Sequence, residues 1–596
     1  MAVAHTYPGI YVQEINGVGS IVGVSTSDTV FIDFFPQGPV GVATRITSFD
    51  VFSRTFGGLD ERSEASYAIQ QFFLNGGAVA WVVRVVATAA TSASGDAAVA
   101  ASLVINNTSG TTTAVLDATA ASVGAWGGAT TNPTTQLQIG IDSQGPSGNT
   151  TLKDNTSSFN MVVRLVLLAT SGQTTVIQQE VYRGVNLNPA SGQYVVTLVN
   201  AQSSLVTLTN PNPAATLAPT VPAGRTINGV TGPQDVINSA NTSTFFTFGG
   251  GLDGDAPGWT GSGSDLTTTW AKSTGAAILN TGFAALNRMA PFTFSILCIP
   301  AAAELATTSA MEAVYSTALA VCQTFRAFLI VDIPRLGASV TGSSGTVSFT
   351  DATSFMNTWY GDANIQTLFG QGVGDHAAVY FPRLQVPDAL NNFNQRTVAA
   401  SGTVAGIFSR TDANRGVWKA PAGTDASLVN ATVGVTPSTG LPVNLTDQEN
   451  GALNPFGVNA IRNFPVFGTI VWGARTLNGA DAAASQWKYV PVRRIALYIE
   501  ESLVQGSKWI VFEPNDEPLW AEIRKTFTSF MQSLFLQGAF QGSSPSQAYF
   551  VRCDSSTTTQ TDIDNGVVNI LVGFAPLKPA EFVVISIQQF AGQTTT

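Results

Sequence analysis

Charge is what this sequence has least of. Asp, Glu, Lys and Arg make up 11% of 596 residues, against about 25% in ordinary soluble domains. Acids outnumber bases 38 to 27, leaving a net charge of −11, and nowhere do Lys and Arg cluster. Nucleic-acid binding needs clustered cations to displace phosphate counterions, so that class is excluded. The three cysteines, Cys298, Cys322 and Cys553, are too few and too scattered for a disulfide framework. Two of them sit in apolar stretches and read as small buried hydrophobes. The two histidines, His5 and His376, have no cysteine or carboxylate partners at ligand spacing, so no metal centre is expected. No uninterrupted apolar run approaches the ~20 residues of a membrane span. The opening MAVAHTYPG lacks the basic and apolar regions of a secretory signal, so synthesis and folding in the bacterial cytoplasm are expected.

Catalytic motifs are missing as well. Gly249-Gly-Gly-Leu-Asp-Gly254 is neither a P-loop nor a G-x-G-x-x-G fingerprint and reads as a tight turn. No G-x-S-x-G elbow occurs. Asp332 follows an apolar strand, where α/β enzymes place acids, but without a partner it reads as a capping or loop-ordering residue. Arg410, Asp412 and Arg415 are dense for so charge-poor a chain and suit a structural salt-bridge network or a subunit contact. The expectation is a protein without catalytic residues, cofactor or metal.

What is present argues for a large folded body. Hydrophobic residues reach 44%, with 35 Phe and 10 Trp, which disordered chains do not carry. A weakly charged surface rich in Thr, Ser and Gly suits a subunit largely covered by neighbours.

Along the chain, Tyr7 to Ile15 alternates around a Pro-Gly kink and reads as an extended arm. An α/β pattern follows, with a strand over Thr29–Phe35, a helix capped by Asp60 and stopped at Gly76-Gly77, and a strand over Ala78–Val86. Residues 89–244 turn to Thr, Ser, Ala, Gly and Asn, with β-like pieces at Met161–Leu168, Val176–Tyr182 and Tyr194–Leu198. This stretch reads as an inserted β-rich domain, because the α/β rhythm resumes beyond it. Strands at 294–300, 328–334 and 377–382 alternate with helices at 303–325 and 354–360, which implies a mostly parallel sheet covered on both faces. From about 398 an α+β unit is expected. It has helices over 491–504 and 518–536 and strands over 509–512, 548–553, 567–573 and 581–589.

The fold class is therefore multidomain, α/β and α+β. An α/β domain (21–88 and 245–397) carries the insertion 89–244, and a C-terminal α+β domain (398–578) follows, with β arms at 1–20 and 579–596.

Several motifs resemble the contractile tail-sheath family of phages and phage-tail-like injection systems. At the N-terminus these are Tyr7-Pro-Gly-Ile-Tyr-Val-Gln-Glu14, Phe56-Gly-Gly-Leu59 and Ala68-Ile-Gln-Gln-Phe-Phe-Leu-Asn-Gly-Gly77. Phe248-Gly-Gly-Gly-Leu-Asp-Gly254 follows the insertion. Beyond it lie Val404-Ala-Gly-Ile-Phe-Ser-Arg-Thr-Asp412, Arg415-Gly-Val-Trp-Lys-Ala-Pro421, Val471-Trp-Gly-Ala-Arg-Thr476, Tyr489-Val-Pro-Val-Arg-Arg494, Phe512-Glu-Pro-Asn515 and Pro579-Ala-Glu-Phe582. The resemblance spans roughly 1–88 and 245–596.

It implies a homopolymer of stacked six-subunit rings around an inner tube protein, with baseplate and terminator or cap proteins as further partners, in a phage tail or phage-tail-like particle. It also implies arms that add strands to sheets of neighbouring subunits. Tyr11, Val12, Gln13, Glu14 and Ile15, and Phe582, Val583, Val584, Ile585 and Ile587, are the positions for these, unless they pair within their own chain. An element of the C-terminal domain would grip the tube. Its candidates are Glu513, Asp516, Glu517, Glu522 and Arg524, although acids at a helix start are also favoured by the helix dipole. The insertion would face outward. The competing reading is a self-assembling surface-layer or adhesin-like protein.

Overall fold

The computed structural model describes residues 21–582 except 89–96, 108–112, 129–133, 143–157, 169–173, 215–225, 228–229, 232–244, 254–274, 371, 373 and 437–438. Of the expected arm residues, only Phe582 falls inside this set; Tyr11, Val12, Gln13, Glu14, Ile15, Val583, Val584, Ile585 and Ile587 lie outside the described residues.

An eight-stranded sheet organises the chain. Its six inner strands, Ala80–Arg84, Thr29–Asp33, Ile296–Cys298, Phe328–Val331, Ala377–Phe381 and Val458–Phe464, run parallel. Antiparallel strands Thr44–Ile46 and Gly468–Val471 close its two edges. Thr29–Asp33, Phe328–Val331 and Ala377–Phe381 are short, mostly apolar and buried along their whole length, as expected when both faces are covered. Alternation divides their side chains: Val30, Ile32, Leu297, Leu329 and Val379 face the helix Thr308–Phe325, whereas Phe31, Ile296, Phe328, Ile330 and Tyr380 face Glu64–Leu74 and Ser401–Arg415.

The last two helices touch closely because Gly402 and Gly406 present no side chain. A Cβ at Gly402 would stand 2.1 Å from the Ala68 carbonyl oxygen, and one at Gly406 2.6 Å from that of Phe72. The motif stretches around residues 68 and 404 thus meet through bare backbone.

Strands Val458–Phe464 and Gly468–Val471 extend this sheet, so it takes residues that the sequence reading assigned to a unit beginning at 398. Val458–Phe464 carries Asn459, Arg462 and Asn463, so it lacks the continuous apolar run that marks the other parallel strands. Ser63, not Asp60, caps the Glu64–Leu74 helix by accepting from Ser66 N, and Asp60 instead pairs with Arg62 at 2.7 Å.

The insertion is β-rich, built from an antiparallel three-stranded sheet (Ser102–Asn107, Thr113–Ala120, Val206–Thr209) and a four-stranded one (Phe245–Thr247, Thr134–Asp142, Ser158–Leu168, Thr174–Asn186). They share a core including Ile105, Leu137, Met161 and Val206. Its last strand lies at 245–247, past the expected boundary, and Gly249 and Leu252 pair back to Ser102 and Val99. The glycine stretch is therefore part of a paired neck, not merely a tight turn. Val195–Gln202 is a helix where β-branched residues suggested a strand. Val195 and Val199, one turn apart, are both buried, and that packing overrides local propensity.

Candidate assembly surface

The C-terminal unit is built on two helices. Val490–Gly506 carries Pro491 in its first turn, where a missing N–H costs nothing, and buries Val492, Ile495 and Ile499 on one stripe. Its paired arginines fasten it to the sheet layer. Arg494 makes a two-pronged bond to Asp412 at 2.9 and 2.6 Å, and Arg493 reaches Asp375 at 3.3 Å. His376 is buried beside them, with Nδ1 2.7 Å from Asp375 and Nε2 2.8 Å from Arg493, so it belongs to a structural ion cluster. Arg410 donates to the Ser427 carbonyl at 2.6 Å, and Arg415 meets Asp425 at 3.3 Å on the exposed surface. Asp412 is thus the deeply tied member of that charged trio.

The second helix, Glu517–Leu536, buries Leu519, Trp520, Ile523, Phe527, Phe530, Met531 and Leu534. Behind it, Tyr549–Arg552 pairs antiparallel with Leu571–Phe574. Among the described residues these strands form a two-stranded sheet, and apart from a single Phe540–Pro576 bridge just past the second strand their outer edges have no neighbour. Two strands alone are marginal in water, and an unpaired edge is a template for another chain. Ile21, the first described residue, packs into the same apolar cluster as Val551 and Val572 of these strands. Further along, Val24 N donates to Ser502 Oγ at 3.2 Å and Arg494 donates to the Thr26 carbonyl at 2.8 Å. The root of the N-terminal segment is therefore strapped along the 490–506 helix.

At the other end, the chain is bolted down just before Phe582. Glu581 accepts from Arg475 Nε at 2.8 Å and Nη2 at 2.7 Å, and from Tyr489 Oη at 3.2 Å. Arg475 is fully buried; its Nη1 donates to the Asn454 carbonyl and to Asp481 at 2.8 and 3.0 Å. Its own backbone is held by Asn459, whose amide bonds both N–H and C=O of Arg475 and also the Val379 carbonyl in the central sheet. Three motif stretches that sequence keeps apart, 471–476, 489–494 and 579–582, converge in this cluster.

The charged positions considered for tube contact group around the start of the Glu517–Leu536 helix. Asp516 caps it, accepting from Leu519 N at 3.3 Å, and Glu517 pairs with Arg524 at 2.6 Å. Glu513 is exposed and Glu522 half-buried. Sequence reasoning missed the apolar pair beside them. The expected 509–512 strand is instead a short 3-10 turn, Lys508–Ile510. It leaves Val511 62% and Phe512 fully exposed, the latter at φ 73°. The Glu-Pro-Asn turn at 513–515 was the available signal that no strand could continue here.

The crevice where α/β folds usually hold ligands, at the carboxyl ends of Thr29–Asp33 and Ile296–Cys298 where the strand order reverses, is filled with protein. Arg383 meets Glu304 at 2.5 Å, Arg396 meets Glu64 at 3.1 Å, and Arg335 meets Glu304 at 3.1 Å and Glu64 as well. Asp332 accepts from Ser401 N at 2.9 Å and so orders the start of the Ser401–Arg415 helix, while burial pushes its carboxyl up to about 6. Cys298, Cys322 and Cys553 are buried free thiols. No group of three or more metal-ligating side chains occurs among the described residues, and no described helix is long and apolar enough to cross a membrane.

Comparison with known proteins places these features in a family context. Residues 482–590 match the phage tail sheath C-terminal domain. The tail sheath protein of Vibrio phage KVP40 is 24% identical over 224 residues, 37% of this chain and 30% of that protein. A putative prophage major tail sheath protein of Pseudomonas aeruginosa strain UCBPP-PA14 is 26% identical over 204 residues, 34% of this chain and 48% of that protein. The aligned part thus spans less than half the length of either curated relative. Among solved structures, the sheath tail protein from Listeria innocua superposes with a TM-score of 0.53 at 11% identity, covering 94% of this chain and 96% of that one. The contracted helical sheath of the anti-feeding prophage gives 0.50 at 19% identity, covering 98% and 100%. The resemblance to tail sheath proteins read from the motifs is therefore shared by a family model, by curated relatives and by the fold.

Proposed function

We propose that this chain is the structural subunit of a contractile sheath. It polymerises as stacked hexameric rings around an inner tube, on a baseplate and under a terminator or cap. On contraction it drives the tube through a target envelope, as part of a phage tail or phage-tail-like particle. The observation that carries this reading is the open-edged two-stranded sheet Tyr549–Arg552/Leu571–Phe574, with the roots of both terminal segments fastened to the same unit. In a polymer, residues 11–15 and 582–587 of neighbouring copies add strands to those edges. Main-chain hydrogen bonds of this kind persist when subunits rotate as rigid bodies, provided the linkers at Pro8-Gly9 and Ala591-Gly592 bend. The charged start of the Glu517–Leu536 helix, with Val511 and Phe512 beside it, is the surface assigned to the tube, and the insertion is assigned to the outside.

Negative-stain microscopy of the purified chain, intact and lacking residues 1–15, tests this. The intact protein is expected to form hollow tubes and the truncated one to remain as soluble, folded particles. Normal tubes from the truncated chain would remove the arm assignment, and flat sheets from the intact chain would favour a surface-layer protein.

A further inference from the structure

An open groove of about 960 Å³ lies between the central layer and the C-terminal unit. Trp418, Ala422, Trp472, Leu577, Pro579 and Phe582 give it an apolar lining, with Trp472 40% and Phe582 75% exposed. Its volume is at the upper end of the ~300–1,000 Å³ that small-molecule pockets occupy, which leaves room for the side chains of a peptide segment. Exposed apolar surface of this kind marks a docking site or an aggregation liability.

The chain itself supplies the occupant. Glu581 is clamped by Arg475 and Tyr489, so Phe582 is delivered into the groove lining and residues 583–596 start from there. Those residues carry no charged side chain, and Val583, Val584, Ile585, Ile587 and Phe590 are apolar. Extended at about 3.3 Å per residue, 583–590 reach roughly 26 Å from the clamp. An uncharged, β-branched run of this type, left bare on a free subunit, is an aggregation hazard.

We propose that in the unassembled subunit residues 583–590 dock in this groove and cover it, so that the arm's apolar run and the groove are both shielded until a neighbour's open strand edge competes for the segment. Tethering favours the chain's own copy, because a short linker holds the segment at an effective concentration on the order of millimolar, far above that of free subunits. This rests on reading residues 579–596 as an assembly arm, and adds the regulation of that arm.

Hydroxyl-radical footprinting of dilute subunits, verified as monomers by analytical ultracentrifugation, reads the exposure of Trp418 and Trp472 individually. Deleting 583–596 is expected to raise oxidation of both by several-fold. The full-length double variant Val584→Asp/Ile585→Asp should do the same, and a synthetic 583–596 peptide added to the truncated chain should reverse it. Trp359, fully buried in the central core, should stay protected in every variant and so reports intact folding. Unchanged oxidation of both tryptophans on deletion would overturn the proposal. So would protection in the full chain that vanishes on dilution, since the occupant would then be a second copy. The arm reading is tested separately by microscopy: tubes assembled from the chain lacking 583–596 would remove that reading, whatever the footprint shows.

Discussion

Removing Glu581 should unfasten the root of the C-terminal segment without unfolding the subunit. Arg475 has a side chain with no solvent exposure, and Glu581 takes two of its N–H groups while remaining 17% exposed. Deleting one partner of a fully buried ion pair costs about 3–5 kcal/mol, because the remaining charge is stranded. Here Arg475 keeps Asp481 and the Asn454 carbonyl, and Glu581 is partly hydrated, which brings the expected cost down to about 1–3 kcal/mol for Glu581→Ala. The cost is local, since the only backbone released is that leading to Phe582. Chymotrypsin cleavage after Phe582 under native conditions measures that opening directly when reclosing is faster than cleavage. The variant should be cut roughly 5- to 150-fold faster than the parent, with the main melting transition little changed. Asp481→Asn is the matched control: Asp481 is 51% exposed, so its loss should cost about 0.5 kcal/mol or less. Equal cleavage of parent and Glu581→Ala, or equal acceleration by Asp481→Asn, would refute the latch.

Three further outcomes follow from particular contacts. Burial raises Asp332 to about 6, so the folded state retains a proton that the unfolded chain, at about 3.9, has released. Its contribution is fully present below pH ~4 and is lost as pH rises to ~6, by up to about 3 kcal/mol; Asp332→Asn should flatten that part of a thermal-shift pH profile, and an unaltered profile would contradict this. Phe512→Gly removes a left-handed conformation costing about 1–2 kcal/mol and no buried contact, so stability should hold or rise while co-sedimentation with tubes of the partner protein falls. A marked fall in melting temperature would show that Phe512 packs within the subunit. Asp253 joins the insertion's neck to the sheet layer by accepting from Arg62 at 2.7 Å and Ala125 N at 2.6 Å. Asp253→Ala should lower a first calorimetric transition by a few degrees while sparing the main one, and a single unshifted transition would sink the neck assignment.

The elements legible in the sequence were those whose periodicity coincides with burial. Val30–Ile32, Ala80–Val83 and Phe328–Val331 are unbroken apolar runs in the interior of a parallel sheet, and Val490–Gly506 and Glu517–Leu536 carry their apolar residues on one stripe. What failed was what depends on distant partners. Val195–Gln202 is helical because residues elsewhere in the insertion cover Val195 and Val199. Gly468–Val471 belongs to the central sheet through a partner strand that itself pairs with Ala377–Phe381. The site was legible in pieces: each motif could be recognised along the chain, yet nothing in the spacing of Arg475, Tyr489 and Glu581 tells that they meet. Phe512 was assigned to a strand on its β-favouring neighbours, and the turn behind it turned that side chain out into solvent.

The convergence of the two roots has a mechanical consequence for the proposed sheath. Residues 21–26 are fixed to the 490–506 helix through Ser502 and Arg494, and Glu581 is fixed through Arg475 and Tyr489, the latter being the residue that begins the same helix. A pull on either terminal segment therefore arrives at one element. That element is joined to the central layer by Arg494 to Asp412 and Arg493 to Asp375, and by Glu501 to Arg326 at 3.1 Å, all with limited solvent access. Buried pairs of this sort contribute little net stability against a hydrophobic alternative, but they are costly to break singly. They resist sliding of the helix over the sheet layer, so in the proposed sheath the subunit would move as one body and the bending would be left to the segments outside the clamps. An apolar interface at the same place would hold the two layers together equally well and leave them freer to shear. On this argument Arg494→Met paired with Asp412→Leu should keep the melting temperature within a few degrees of the parent while reducing the fraction of sheaths that contract fully in electron micrographs. Full contraction in the double variant would mean that the ion pairs serve folding alone.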